Sequence, residues 1–192
     1  MSDLEPILLI LDLDETLLHD TEKQLDSPAD FMLFGYYIYL RPHLREFLLT
    51  VSQHFRLAVW SSASDDYVLE ATRRLLPESV QLEFIWGRSR CTYSLNHQVF
   101  EQDGYLNLNT HYNYIKPLTK LRKKGYSLSR VLIVDDTPFK SHRNYGNAIY
   151  MPEYTGQPND RALLNLLQYL CTLQHVPDVR RIEKRNWLES SA

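Results

Sequence analysis

Several stretches of the chain are continuously apolar, and three of them run into reactive side chains. Residues 6–13, Pro-Ile-Leu-Leu-Ile-Leu-Asp-Leu, lead without alternation into Asp12 and Asp14. Such a run reads as a strand buried on both faces, as in a parallel sheet. Residues 57–60 form a second run that stops at Ser61-Ser62, and residues 131–134 form another that stops at Asp135-Asp136. Residues 83–86 and 148–151 complete five candidate strands. Helical stripes lie between them. Leu44, Phe47, Leu48 and Val51 stand at i, i+3, i+4 and i+7, with Pro42 placed at the first helical position. Val68, Ala71, Thr72 and Leu75 repeat that stripe and Pro77 closes it. Pro117 and Gly125 bracket a short helix, and Leu163, Leu166, Leu167 and Leu170 mark a last one.

The segments in between are of other kinds. Residues 21–30 are polar, hold Pro28 and read as a loop, while 31–40 are aromatic enough for a hairpin or extended segment. Residues 87–110 mix Gly, Ser, Asn, Tyr and Thr without helical period, which predicts a small β-rich insertion. Residues 177–192 form a charged C-terminal tail, expected to be loosely attached. Strands alternating with helices imply an α/β fold around a parallel sheet, read as one domain over 1–192. In such sheets ligands bind beyond the carboxyl ends of the strands. Asp12 and Asp14, Ser61, and Asp135 with Asp136 all stand at such ends.

Composition narrows the class. The chain has 192 residues, 44% of them hydrophobic, which suits one domain with a sizeable core. A net charge of -3 argues against broad electrostatic binding to nucleic acid. Cys91 and Cys171 lack metal-type spacing and read as free thiols. No apolar run approaches the roughly 20 residues of a membrane span, and no secretory signal opens the sequence. The expectation is a monomeric protein with no membrane or nucleic-acid partner, resident in the cytoplasm, with the nucleus as the alternative in a eukaryote.

Asp12-Leu13-Asp14-Glu15-Thr16 carries the sharpest chemistry. Residues two apart on extended backbone point the same way, so both carboxylates can face one pocket. Their mutual repulsion calls for a cation, and magnesium prefers oxygen ligands of this kind. Asp135 and Asp136, at another strand end, would complete its shell. Asp12 and Asp14 could instead cap a turn or helix. Lys116, just ahead of Pro117, could neutralise charge in a phosphoryl-transfer site or be an ordinary surface lysine. Ser61 could bind a phosphate oxygen or cap the following helix, as Ser62 or Ser64 could.

Asp12-Leu-Asp-Glu-Thr-Leu-Leu-His19, Leu40-Arg-Pro-His43, Trp60-Ser61, Lys116 and Val134-Asp-Asp-Thr-Pro138 resemble the motifs of the haloacid dehalogenase superfamily. Within it they are similar to the small phosphatases of the RNA polymerase II C-terminal domain, over roughly residues 6–175. The resemblance implies a three-layer Rossmann-like fold with a small β-rich insertion in place of a large cap. It implies a phosphomonoester hydrolase that uses Mg2+ and an aspartyl-phosphate, acting on phosphoserine or phosphothreonine in a protein or peptide. Asp12 matches the nucleophile and a metal ligand. Asp14 matches the general acid and base, with a backbone carbonyl on the metal. Ser61 matches the phosphate-binding residue, Lys116 the catalytic lysine that also holds phosphate, and Asp135 and Asp136 the metal-binding pair, with Asp136 favoured for direct contact. Close relatives often have Asp-Asn at that pair, so Asp136 adds a negative charge. Arg41 matches a recurrent Arg-Pro and serves a structural ion pair or a substrate contact. A small-metabolite phosphatase and a non-catalytic interaction domain of the same fold are the alternatives. Both the insertion at 87–110 and the segment near 20–40 are too short for a separate cap, since independent domains rarely fall below about 50 residues. An open mouth is therefore expected, with Phe34, Tyr36, Tyr37 and Tyr93 as candidate shelf residues.

Overall fold

A computed structural model describes residues 5–95 and 112–189. Its centre is a five-stranded parallel sheet of β1 (Leu8–Leu11), β5 (Arg56–Trp60), β6 (Leu82–Trp86), β9 (Val131–Asp135) and β10 (Ala148–Tyr150), in the order β10-β9-β1-β5-β6. β1 sits in the middle, pairing Leu8 with Arg56 on one side and with Val131 on the other. Its alternating side chains feed two separate cores. Leu9 and Leu11 pack with the stripes of α1 (Leu44–Val51), α2 (Asp65–Leu75) and α5 (Ala162–Leu173). Leu8 and Ile10 pack with Ala58, Trp60 and Ile133 under Leu118 and under Leu121 of the short helix α3 (Thr119–Arg122) that Leu118 precedes. Both faces of the sheet are thus covered, which explains why its strands are continuously apolar. The α/β, three-layer architecture expected from the sequence is the one observed.

Two smaller sheets flank the carboxyl edge. β2 (Leu18–Thr21), β3 (Phe31–Leu33) and β4 (Tyr36–Leu40) form an antiparallel sheet in the order β2-β4-β3. The β3–β4 hairpin turns on Phe34 and Gly35 at φ 49° and 92°, as a two-residue turn of the primed kind requires. Glycine takes that conformation freely, whereas Phe34 is held there with its ring exposed. β7 (Thr92–Leu95) pairs antiparallel with β8 (Tyr112–Ile115), so part of the 87–110 segment is a strand; its residues 96–110 lie outside the described residues.

Two local expectations are corrected, and one strand is found where none was expected. Pro42 is not the first helical residue: α1 begins at Leu44, after His43 in the left-handed region at φ 66°. The chain bends there because Arg41 is drawn inward by the contacts described below. β2 was not anticipated, since His19, Asp20 and Thr21 give it no apolar pattern. The tail is not loosely attached over its described part. Val179 and Trp187 are buried, and the Trp187 indole donates to the Tyr150 carbonyl at 2.8 Å. Lys184 is also buried, donating to the carbonyls of Val179 and Ile182 at 2.6 Å each. Among the described residues, no helix is long and apolar enough to cross a membrane.

Candidate active site

The carboxyl ends of β1, β5 and β9 converge, and β8 delivers Lys116 beside them. The Asp12 amide extends the β1–β9 pairing by donating to the Val134 carbonyl at 3.0 Å. After Asp14 the chain turns tightly: the Leu17 amide donates to the Leu13 carbonyl at 2.7 Å, and Glu15 takes φ 57°. Arg41 fixes this turn from outside. Its Nη1 donates to the Thr16 carbonyl and its Nη2 to the Pro152 carbonyl, both at 2.9 Å, and a fork of two 2.9 Å bonds holds Asp160. Burial would raise the Asp160 carboxyl, but Arg41 holds it below its ordinary range. Arg41 is therefore a structural ion pair rather than a substrate contact. Removing one partner of a buried pair leaves the other uncompensated. Arg41→Met should accordingly cost about 3 kcal/mol of stability, read as a lower urea midpoint; a loss under about 1 kcal/mol would contradict this role.

Asp12, Lys116 and Asp135 are all fully buried. The Lys116 ammonium stands 2.7 Å from Oδ2 of Asp12 and 2.7 Å from Oδ2 of Asp135. Burial alone would raise the Asp12 carboxyl, but Lys116 and then Lys140 hold it below the ordinary carboxylate range. The same two acids keep Lys116 protonated against the desolvation that would discharge it. Asp135 is pushed upward, chiefly by burial, with Lys116 opposing the rise and Asp12 adding to it. Its Oδ1 accepts from the Thr137 amide at 2.9 Å, so both of its oxygens are engaged. Asp136 is only partly buried, and its oxygens face the hydroxyls of Thr16 at 3.4 Å and Thr137 at 2.8 Å. Carboxylate oxygens of Asp12, Asp135 and Asp136 lie within 4.8 Å of one another. An oxygen-only donor set of that size fits a small hard cation.

Asp14 stands apart from that cluster. Its Oδ2 accepts from the Ser61 hydroxyl at 2.9 Å, and Ser61 Oγ in turn accepts from the Ala63 amide at 3.0 Å. Ser61 thus orients Asp14 and caps its own loop at once. Burial first, and then the charge of Asp12, pushes the Asp14 carboxyl up to about 6. The two carboxyls of the Asp-X-Asp pair are thus driven in opposite directions, the pattern that separates a nucleophile from an acid. Asp14 Oδ1 and the Tyr67 hydroxyl are buried without a hydrogen-bond partner among the described residues. Both residues line an open cleft with Phe34, Tyr36, Arg88 and Lys140. Phe34 and Tyr36 are therefore at the mouth as expected, whereas Tyr37 and Tyr93 do not line this cleft. Glu15, also at its edge, is pushed up to about 8 by burial and by the charges of Asp14, Asp20 and Asp136.

Lys140 was not anticipated. It lies at the third position of the short helix α4 (Pro138–Ser141), four residues after Asp136. Its ammonium is 3.1 Å from Asp12 Oδ2, and its backbone carbonyl accepts from the Lys116 amide at 2.7 Å. Burial opposes its charge, but Asp12, Asp135 and Asp136 hold its proton above the ordinary lysine range. Asp136 sits in the bend before α4 rather than on the helix, so no helical spacing marks Lys140 in the sequence.

Known proteins resemble this chain in sequence and in fold. Residues 7–180 match the family described as NLI interacting factor-like phosphatase. CTD nuclear envelope phosphatase 1 of Xenopus laevis is 30% identical over 203 residues, covering 97% of this chain and 75% of the relative. Nuclear envelope morphology protein 1 of Schizosaccharomyces pombe is 31% identical over 188 residues, covering 90% of this chain and 34% of the relative. Among solved structures, Fcp1, an essential RNA polymerase II CTD phosphatase, superposes with a TM-score of 0.53 at 18% identity. That match covers 96% of this chain, which spans 59% of the Fcp1 chain, and it speaks to the haloacid dehalogenase fold. The names of the sequence relatives overturn the cytoplasmic expectation and point to the nuclear envelope. The physical reason is plain: charge balance and composition report solubility, whereas an address is read by receptors from short signals. By the extent of these matches and the motifs they contain, the chain belongs to the NLI interacting factor-like phosphatase family.

Proposed function

We propose that this phosphatase hydrolyses phosphoserine or phosphothreonine in protein substrates through an aspartyl-phosphate on Asp12, with magnesium as cofactor, and that it works at the nuclear envelope. The observation that carries the reading is the opposite tuning of Asp12 and Asp14. Asp12, ionised beside Lys116, attacks phosphorus in line with the leaving oxygen. Asp14, holding its proton at a value near 6, delivers it to the departing alkoxide. Asp14 then takes a proton from the water that opens the acyl-phosphate. Two easier steps replace one hard one. Placement and charge neutralisation supply most of the catalysis in phosphoryl transfer, and Lys116 neutralises Asp12 from behind. Ser61 keeps the ionised Asp14 pointed at the cleft; once Asp14 is protonated, the single Ser61 proton is free to be given to a phosphate oxygen. Magnesium would be held by Asp12, Asp136 and the Asp14 carbonyl, where it would offset the charge of the transferred group. Asp136 is favoured over Asp135 because Asp135 is fully buried and held at 2.7 Å by the Lys116 ammonium, whereas Asp136 is only partly buried and its hydrogen bonds are to hydroxyls.

The open cleft supports a phosphorylated side chain on an extended peptide over a small metabolite, and the intact set of acids argues against a mere interaction domain. The names of the relatives support a protein substrate and residence at the nuclear envelope. Metal removal tests the cofactor. Chelation should abolish release of inorganic phosphate from a phosphoserine peptide, and magnesium should restore it. Calcium should not, because its larger, looser shell suits in-line geometry poorly. Undiminished activity in a metal-free preparation would rule the reading out.

A further inference from the structure

Two lysines touch Asp12, and they are not equivalent. Lys116 is fully buried and bridges Asp12 to Asp135 from behind. Lys140 keeps 14% of its side chain exposed and lines the cleft together with Asp14 and Tyr67. Its ammonium lies 3.1 Å from Asp12 Oδ2, 3.7 Å from Asp136 Oδ1 and 3.9 Å from Asp135 Oδ1. These are the three carboxylates that form the candidate cation cluster. One lysine is thus locked behind the nucleophile, and the other stands in front of it, between the acids and the cleft. No motif assigned Lys140 a role.

A divalent cation and this ammonium draw on the same oxygens and repel each other at such distances. We propose that Lys140 is a built-in counter-ion that competes with the divalent cation for the Asp12, Asp135 and Asp136 carboxylates. Displaced by the cation, its ammonium turns into the cleft and holds the non-bridging oxygens of the substrate phosphate. The second half rests on the phosphatase reading above; the first does not. A lysine suits both duties, with a flexible four-carbon stem and three rotatable donors on a compact charge. The hydrogen bond from the Lys116 amide to the Lys140 carbonyl, at 2.7 Å, anchors the base of the stem. The consequence is a site whose acids stay compensated when the cation leaves. Asp12, Asp135 and Asp136 would otherwise face one another with, among the described residues, Lys116 as the one ammonium in contact with them.

The test separates this role from that of a fixed ion pair. Magnesium alone would be titrated calorimetrically into the intact protein and into Lys140→Met, and inorganic phosphate then added at saturating magnesium. Lys140→Met should bind magnesium tenfold or more tightly and inorganic phosphate tenfold or more weakly. Equal or weaker magnesium binding in the variant would overturn the competition, and unchanged phosphate binding would overturn the transfer to phosphate. If neither protein binds magnesium, the cofactor reading fails along with the proposal; if both bind it equally, only the proposal fails. Lysine acylation of the unaltered protein, read by mass spectrometry, guards against a variant that does not fold. Saturating magnesium should make Lys140 several-fold more reactive while Lys116 stays protected, and an unchanged Lys140 would contradict its displacement.

Discussion

Replacing Asp12 by Asn should reduce turnover of a phosphoserine peptide by ~10⁴ or more while leaving the fold intact. An amide is no nucleophile toward phosphorus, and the substitution also removes the charge on which Lys116 and Lys140 converge. Asp135 still contacts Lys116, so that lysine retains a buried partner and the protein should remain folded. Circular dichroism and the urea midpoint check the fold, and a phosphate-release assay checks the rate. Asp12→Ala is the companion variant, since it cannot revert by deamidation. More than a tenth of the activity surviving in a folded Asp12→Ala protein would remove Asp12 from the role of nucleophile.

Asp14→Asn should slow turnover by ~10²–10⁴-fold, and the loss should depend on the leaving group. An aryl phosphate departs with little need of a proton, whereas a serine alkoxide needs one. The defect should therefore be larger on the alkyl substrate; equal losses on both would argue against general acid catalysis. The pH profile gives a second handle. Asp14 must carry its proton to act as the acid, and burial followed by the Asp12 charge has raised that carboxyl to about 6. The rate of the first chemical step should therefore fall as pH rises through that value, because the unprotonated form cannot donate. Asp14→Asn should flatten this limb.

Strand ends were the legible part of this sequence. β1, β5 and β9 are buried on both faces, so each left a continuous apolar run, and each run ended on a residue of the site. The stripe of α1 matched its observed limits because all four of its apolar positions face one core. Less could be read wherever contacts are long-range. β2 pairs with β4 through backbone bonds while its polar side chains are all half-buried, so no period marks it. Lys140 looked like any surface lysine until the fold set α4 against Asp12, which is 128 residues away in sequence. The tail looked detached because its charges outnumber its apolar residues, yet Val179 and Trp187 suffice to dock it. Pro42 misled because a helix-starting residue and a bend-forming residue look alike when the buried Arg41 beside it is not yet seen.

The covalent step can be observed directly. Asp14→Asn protein, mixed with an aryl phosphate, whose leaving group needs little protonation, and magnesium and quenched in acid within one turnover, would be weighed intact and then reduced with borohydride. Slow hydrolysis in this variant lets the acyl-phosphate accumulate, and borohydride converts an aspartyl-phosphate to homoserine. A single phosphoryl adduct, followed by homoserine at position 12 alone, is the outcome that an Asp12 nucleophile requires. Single-turnover phosphate release with no adduct at any time, or homoserine at a different aspartate, would contradict it.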